Sequence, residues 1–364
     1  MTATLPSQTF DVIVVGGGQA GLAVAYYLAR QEADFVVLDA AAETGESWRT
    51  RWDSLRLFTP AEYDGLPGMQ FPAADGDYPS KDMVADYLHN YAAHFALPVR
   101  LRCAVTRIEQ VAGGFVVHTS QGSFSTRQVV VATGPFHEPV VPRLAAGLSD
   151  DVVQLHSAEY RRPSDIPAGP VVVVGAGNSG RQIAEELAET HEVILAVGTA
   201  QSQLPQRFLG RDLFWWLTRL GLMDKTIQSR LARRMRERGD LVIGTPLKRL
   251  QAAGVQIRPR VTSMTGDEVG FQAGPSARAT AVVWATGFSA DYSWVDVPDA
   301  FDDQGRPRHE RGITPPQGLA FVGLPWQHTR GSALLGFVRS DAAWVAGQLE
   351  ADRAQRLDRL AAAR

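Results

Sequence analysis

The chain has 364 residues, long enough for two domains with complete cores, and its 45% hydrophobic content fits a folded globular protein. A formal net charge of −3 excludes a general electrostatic attraction to nucleic acid or anionic lipid. Cys103 is the single cysteine, which excludes a disulfide framework, a thiolate metal site and a paired-cysteine redox centre, so no metal is expected.

Met1 to Thr9 has no basic segment followed by an apolar core, and no run reaches the roughly 18 apolar residues of a membrane span. No secretory leader, no membrane span and a cytoplasmic location are therefore expected. Phe10 to Val15 predicts a buried strand running into Gly16-x-Gly18-x-x-Gly21. A small-residue helix, Leu22 to Arg30, and a second apolar strand from Phe35 follow, and that strand ends on Asp39. This order has the form of a dinucleotide-binding βαβ unit. Gly16 makes the tight turn, Gly18 lets backbone amides approach a pyrophosphate at the helix N-terminus, and Gly21 lets the helix lie close to the strand. Asp39 is placed to accept hydrogen bonds from ribose hydroxyls and would repel a 2′-phosphate, so this unit suits FAD or NAD rather than NADP.

The next stretch contains Gly45-x-Ser47-Trp48-Arg49, Arg51-Trp52-Asp53 and Arg56-Leu57-Phe58-Thr59. It is dense in tryptophan and arginine for a connecting loop; it either carries ligand contacts or fills a gap between domains. Ser80 caps a predicted helix with Val84, Leu88, Tyr91 and Phe95 on its core face. Residues 101–133 alternate in strand fashion around turns at Gly113-Gly114 and Gln121-Gly122, and end at Ala132-Thr133-Gly134.

A second strand, glycine turn and helix begins at Pro170 and carries Gly175-x-Gly177-Asn178-Ser179-Gly180. Residues 255–286 repeat the alternating pattern and end at Ala285-Thr286-Gly287. The interval from glycine turn to Ala-Thr-Gly is 116 residues in the first copy (Gly16 to Ala132) and 110 in the second (Gly175 to Ala285). The chain is thus an internal repeat of two dinucleotide units. The predicted fold class is α/β: two Rossmann-like dinucleotide-binding domains of the glutathione-reductase-like type, with inserted β-meanders. The first domain is discontinuous, residues 1–160 and 288–364; the second spans 161–287 and carries a helical insertion at 199–250. That insertion holds the aromatic run Phe214-Trp215-Trp216 and an arginine-rich helix with Arg230, Arg233, Arg234, Arg236 and Arg238. Such a helix is a solvated face or a membrane-surface element. Near the end, Gly323-Leu324-Pro325-Trp326-Gln327-His328-Thr329 opens a glycine-rich loop, and an amphipathic helix closes the chain from Ser340 to Leu360.

Four features together resemble the class B flavoprotein monooxygenases, in particular the bacterial CzcO-like branch of the flavin-containing monooxygenase-like group. They are the paired glycine motifs, Gly45-x-Ser47-Trp48-Arg49, Tyr78-Pro79-Ser80-Lys81 and Val283-Trp284-Ala285-Thr286-Gly287-Phe288. The similarity covers nearly the whole chain. The family's linker fingerprint is half present: His156 and Tyr160 match its second half, while Asp150 and Val152 stand where Phe and Gly would be.

The resemblance implies FAD on the first unit, contacted by Gly16, Gly18, Gln19, Gly21, Asp39, Ser47, Trp48, Thr133 and Gly134. It implies NADPH on the second, contacted by Gly175, Gly177, Asn178, Ser179 and Gly180; Thr59, Val105, Arg207, Thr286 and Leu334 complete the expected cofactor-binding set. NADH is the alternative, because Gly198-Thr199 stands where the family often has an arginine for the 2′-phosphate. Arg181, Arg207 and Arg211 are the expected substitutes. The implied chemistry is reduction of FAD by NADPH, addition of dioxygen at flavin C4a, and transfer of one oxygen atom to a small soft nitrogen, sulfur or metalloid nucleophile. His156, Gln327 and Thr329 are the candidate catalytic side chains, though His156 reads first as an interdomain hydrogen-bonding residue, since a histidine more often has a satisfied structural role than a catalytic one. Competing functions are Baeyer-Villiger ketone oxygenation, an NAD(P)H oxidase or reductase, and a nucleotide-bound redox-responsive binding protein. The expected partners are dioxygen and a small-molecule substrate, with no nucleic acid; the oligomeric state is open, a homodimer being one option.

Overall fold

A computed structural model describes residues 8–362 apart from 200, 238 and 240, so Arg238 of the arginine-rich segment and most of the N-terminal stretch lie outside the described residues. The first unit is built on β1 (Gln8–Val15), α1 (Gln19–Arg30) and β2 (Phe35–Leu38). Val12 to Val15 and all of β2 are buried, as expected for strands covered on both faces. Helix α2 (Glu46–Arg49) is one turn, and α3 (Lys81–His94) starts on Ser80, whose hydroxyl accepts from Met83 N. The edge strand β3 (Val99–Arg100) precedes an antiparallel meander of β4 (Val105–Val111), β5 (Gly114–Thr119) and β6 (Gly122–Val131). Strand β6 is long enough to pair antiparallel with β5 at one end and parallel with β1 at the other. The eight-stranded sheet runs Val295–Asp296, β4, β5, β6, β1, β2, β3, with Leu319–Phe321 also on β6.

Two short segments, β7 (Glu138–Pro139) and Phe288–Ser289, pair antiparallel where the chain crosses between the sheets. Thr286 Oγ1 donates to Val140 O at the same crossing. Strand β8 (Val153–His156) then forms the edge of a second, five-stranded parallel sheet, so the chain enters that sheet before residue 160. The remaining strands of this sheet are β9 (Pro170–Val174), β10 (Glu192–Val197), Gln256–Pro259 and Ala281–Trp284, with α4 (Asn178–Leu187) following β9. The second meander differs from the first. Its strands at Val261–Thr265, Glu268–Phe271 and Ala277–Arg278 form a separate small sheet rather than extending the main one.

Within the insertion, Asp212 caps α5 (Leu213–Arg219) by accepting from Phe214 N at 2.7 Å. In α6 (Arg230–Glu237) only Ala232 is buried, and Arg230, Arg233, Arg234 and Arg236 are exposed, so the arginines make a solvated face. Helix α7 (Leu247–Ala252) rests on α4, and α8 (Arg339–Ala362) packs along α1. Gln128 Nε2 donates to Leu349 O and Arg353 Nη2 to Gln31 O, which ties α8 back to the first βαβ unit. Among the described residues no helix is long and apolar enough to cross a membrane, and no cluster of metal-ligating side chains occurs.

Candidate functional site

The two glycine turns have the same geometry. Gly16 has φ +104° and Gly175 φ +109°, a conformation that L side chains rarely adopt. A Cβ on Gly16 would lie 2.7 Å from Ala132 O, and one on Gly175 would overlap Ala285 O. This contact explains why each turn is coupled to an Ala-Thr-Gly more than a hundred residues later: the alanine carbonyl sits against the glycine. Gly21 and Gly180 are constrained in the same way, since a Cβ on either would overlap the carbonyl of the first glycine of its own turn. Gly18 is different. A Cβ there would meet nothing within 4 Å, so no protein atom requires glycine at this position. At Gly177 such a Cβ would meet only Gln201 Nε2, at 3.9 Å. Open space over the amides of a helix start is where a dinucleotide diphosphate fits, and this fit is the observation that accommodates FAD on the first turn.

A cavity of about 900 Å³ opens over the first turn. Of the expected cofactor positions, Gly16, Gly18, Gln19, Asp39, Ser47, Trp48, Val105, Thr133 and Gly134 line it, and Ser179 reaches it from the second unit. Asp39 closes the end of β2: its carboxylate accepts from Gly17 N and from Ala41 N, the latter at 2.8 Å. Gln19 Oε1 accepts from Trp48 Nε1 at 3.2 Å and so fixes the indole in the wall. Leu334 does not line the cavity; it joins an apolar cluster with Phe58, Tyr63, Phe214 and Phe337 between the insertion and the loop after Gly323. The Phe58–Phe214 and Tyr63–Phe337 rings stack at 6.1 Å, an arrangement that excludes water beside the cavity.

Several expected ligands are engaged elsewhere. Thr59 is buried and donates to Asp64 Oδ1 at 2.6 Å. Asn178 holds the insertion with its whole amide, donating to Leu241 O at 3.1 Å and accepting from Ile243 N at 3.0 Å. Arg181 is 2% exposed and donates to Ala176 O, Gln203 Oε1 and Thr245 O, so it is structural and not a 2′-phosphate ligand. Arg207 is exposed on the hairpin formed by Arg207–Phe208 and Arg211–Asp212, and Arg211 lies over the Trp215 ring; neither lines the cavity. The cation that does reach the end of β10 is Arg260, just past the neighbouring strand Gln256–Pro259. Its Nη2 donates to Thr199 Oγ1 at 3.1 Å, and its guanidinium would be 3.7 Å from a Cβ on Gly198. Only the pairing of Gln256–Pro259 with β10 could have exposed it, and that pairing joins segments about sixty residues apart.

The three candidate catalytic side chains do not line the cavity. His156 is buried; Ala158 N donates to its Nδ1 at 3.2 Å, which leaves Nε2 protonated and donating to Gly287 O at 3.0 Å. Burial pushes its pKa below the ordinary histidine value, so it stays neutral and holds the second Ala-Thr-Gly turn. Gln327 is 1% exposed, accepting from Leu324 N and donating to Arg311 O. Thr329 caps the turn Arg330–Ala333 in a reciprocal capping box with Ser332. Both shape the loop that carries Ala333 to the cavity wall.

The family model described as pyridine nucleotide-disulphide oxidoreductase matches residues 13–213. A CzcO-like oxidoreductase of Geobacillus kaustophilus is 44% identical over 336 residues, covering 92% of this chain and 97% of the relative. A probable indole-3-pyruvate monooxygenase of Arabidopsis thaliana is 28% identical over 335 residues, covering 81% and 79%. The solved structure of a flavin-containing monooxygenase from Stenotrophomonas maltophilia superposes with a TM-score of 0.79 at 29% identity, covering 94% of this chain and 99% of the other.

Proposed function

This chain belongs to the pyridine nucleotide-disulphide oxidoreductase family and, within it, to the CzcO-like branch of the class B flavoprotein monooxygenases, and from that membership we propose that it uses FAD and NADPH to oxygenate a small soft nitrogen, sulfur or metalloid nucleophile. The observation that carries this reading is the cavity shared by the two units, with the open cradle at Gly18 on one side and the start of α4 at Ser179 on the other. FAD supplies the two-electron and oxygen chemistry when bound. The chain supplies the surroundings. The α1 amides and Gly18 hold the diphosphate, Asp39 the ribose, Trp48 a fixed wall, and the cluster around Phe214 keeps water away from the reacting end. Cys103, free and buried, has no second sulfur to pair with, which speaks against disulfide reduction despite the family's name.

Anaerobic reduction by NADPH followed by mixing with oxygenated buffer tests the reading. A near-ultraviolet transient that precedes return of the oxidised flavin spectrum is expected. Immediate reoxidation with stoichiometric peroxide, unchanged when amines, sulfides and ketones are added, would count against it, and a ketone converted to an ester would redirect it to Baeyer-Villiger chemistry.

NADPH is preferred over NADH because Arg260 stands at the adenosine end of the second turn, with no carboxylate at Gly198 or Thr199. Arg260→Ala is expected to weaken NADP⁺ binding about tenfold to a hundredfold while leaving NAD⁺ binding within a factor of about two, measured by equilibrium titration. Equal losses for both nucleotides would remove Arg260 from this role.

A further inference from the structure

Arg51 lines the same cavity as Ser179, and its contacts among the described residues are to Ser47 O and the Phe288 ring rather than to a carboxylate. Its Nε donates to Ser47 O at 3.1 Å, and its guanidinium lies 5.5 Å from the centre of the Phe288 ring, just beyond the second Ala-Thr-Gly. The charge that acts on it is another cation, Arg161, whose own guanidinium donates to Ala158 O and Tyr160 O. The acids of this region have other partners: Asp53 pairs with Arg162, Glu159 accepts from His156 N, and Glu186 accepts from Tyr160. Burial, with Arg161 as the lesser cause, lowers the pKa of the Arg51 guanidinium. A half-buried arginine on a cavity wall, beside a second arginine and without a carboxylate partner, is a ready place for an anion to bind. Arginine is also the side chain best shaped to hold a phosphate through two parallel hydrogen bonds.

We propose that Arg51, carried on the flavin side, is the anion clamp for the diphosphate bridge of the nicotinamide nucleotide held at the start of α4. The assignment rests on the functional reading above and deepens it. The cradle at Gly177 is nearly as open as that at Gly18, but the Asn178 side chain and the Arg181 guanidinium are held by the insertion, so side-chain charge for a diphosphate there comes from outside the second unit. Arg51 supplies that charge. Because Arg51 lies against Phe288, whose ring packs edge-on against His156 at 4.8 Å, nucleotide binding also steadies the crossing beside the second Ala-Thr-Gly.

The test is equilibrium titration of the flavin-loaded protein and its Arg51→Met, Arg51→Gln and Arg51→Lys variants with NADP⁺ and with 2′-AMP, alongside the FAD dissociation constant. The expected result is NADP⁺ binding at least tenfold weaker in Arg51→Met and Arg51→Gln, partly restored in Arg51→Lys. Binding of 2′-AMP, which lacks the diphosphate, and of FAD stays within about twofold. Loss of FAD with unchanged NADP⁺ binding would assign Arg51 to the flavin diphosphate and overturn the proposal, as would unchanged binding of both. Wild-type protein that binds neither NADP⁺ nor NAD⁺ would overturn the functional reading as well, whereas wild-type binding that Arg51→Gln does not weaken would overturn the clamp alone.

Discussion

Gly18→Ala is expected to abolish FAD retention without unfolding the protein, whereas Gly21→Ala is expected to unfold it. The two glycines are three residues apart in one motif, yet their surroundings are opposite. A methyl on Gly18 enters open space, so the flavin-free chain should melt within about 2 °C of the wild type. The same methyl occupies the place of a diphosphate oxygen, and FAD affinity should fall by at least about a hundredfold, or about 3 kcal/mol. A methyl on Gly21 would overlap Gly16 O where α1 crosses β1, and neither backbone can retreat from a sheet buried on both faces. Flavin absorbance after purification and thermal unfolding of the flavin-free proteins separate the two outcomes. Normal FAD affinity in Gly18→Ala would mean that the cradle is not the diphosphate site.

Asp64→Asn is expected to stabilise the protein in alkaline buffer and to leave it nearly unchanged in acid. Asp64 is fully buried; Thr59 donates to one carboxyl oxygen and the other has no partner among the described residues. Burial raises its pKa from 3.8 to about 8, against the opposing Thr59 hydrogen bond. Between these values the folded chain binds more protons than the unfolded chain, so this group's contribution to stability falls as pH rises through the window and levels off above about pH 8. Asparagine keeps the shape of the neutral acid and carries no charge. The variant should therefore gain roughly 3–5 kcal/mol over the wild type at pH 9 relative to pH 5. That corresponds to a melting-temperature difference of about 5 °C for a chain of this size. Melting curves that keep a constant separation across pH 5–9 would show that Asp64 does not titrate in this range.

What could be read from the sequence was what depends on short spacing. The turn Gly16 to Gly21, Asp39 at the end of β2 and the Ser80 cap declare themselves because each one's packing partners are set by a few residues of local geometry. The Ala-Thr-Gly repeats were visible as a pattern, but their cause, the alanine carbonyl against the first glycine, required the parallel pairing of β1 with β6 and of β9 with Ala281–Trp284. Side chains whose partners lie far along the chain are not legible from the sequence. Asn178 and Arg181 sit in the motif at nucleotide-binding positions, yet the returning insertion claims both from more than sixty residues away. Arg260 carries no sequence signal for the converse reason: it reaches the end of β10 from just past a neighbouring strand. His156 carries the family's linker signal, but its Nε2 holds Gly287 at the crossing and its Nδ1 accepts from Ala158 N, so neither nitrogen faces the cavity.

The pairing of Leu319–Phe321 with β6 and of α8 with α1 also sets an order of events during synthesis. By the time Trp284 has left the ribosome, every strand of the five-stranded sheet exists, and that inner unit can form on the nascent chain. The outer unit cannot. Its first strand is made before the inner unit, but the strand that completes β6 and the helix that covers α1 are translated after it. The outer unit therefore closes only after the inner one, and removing α8 would expose α1 and disturb the first glycine turn before it touched the second.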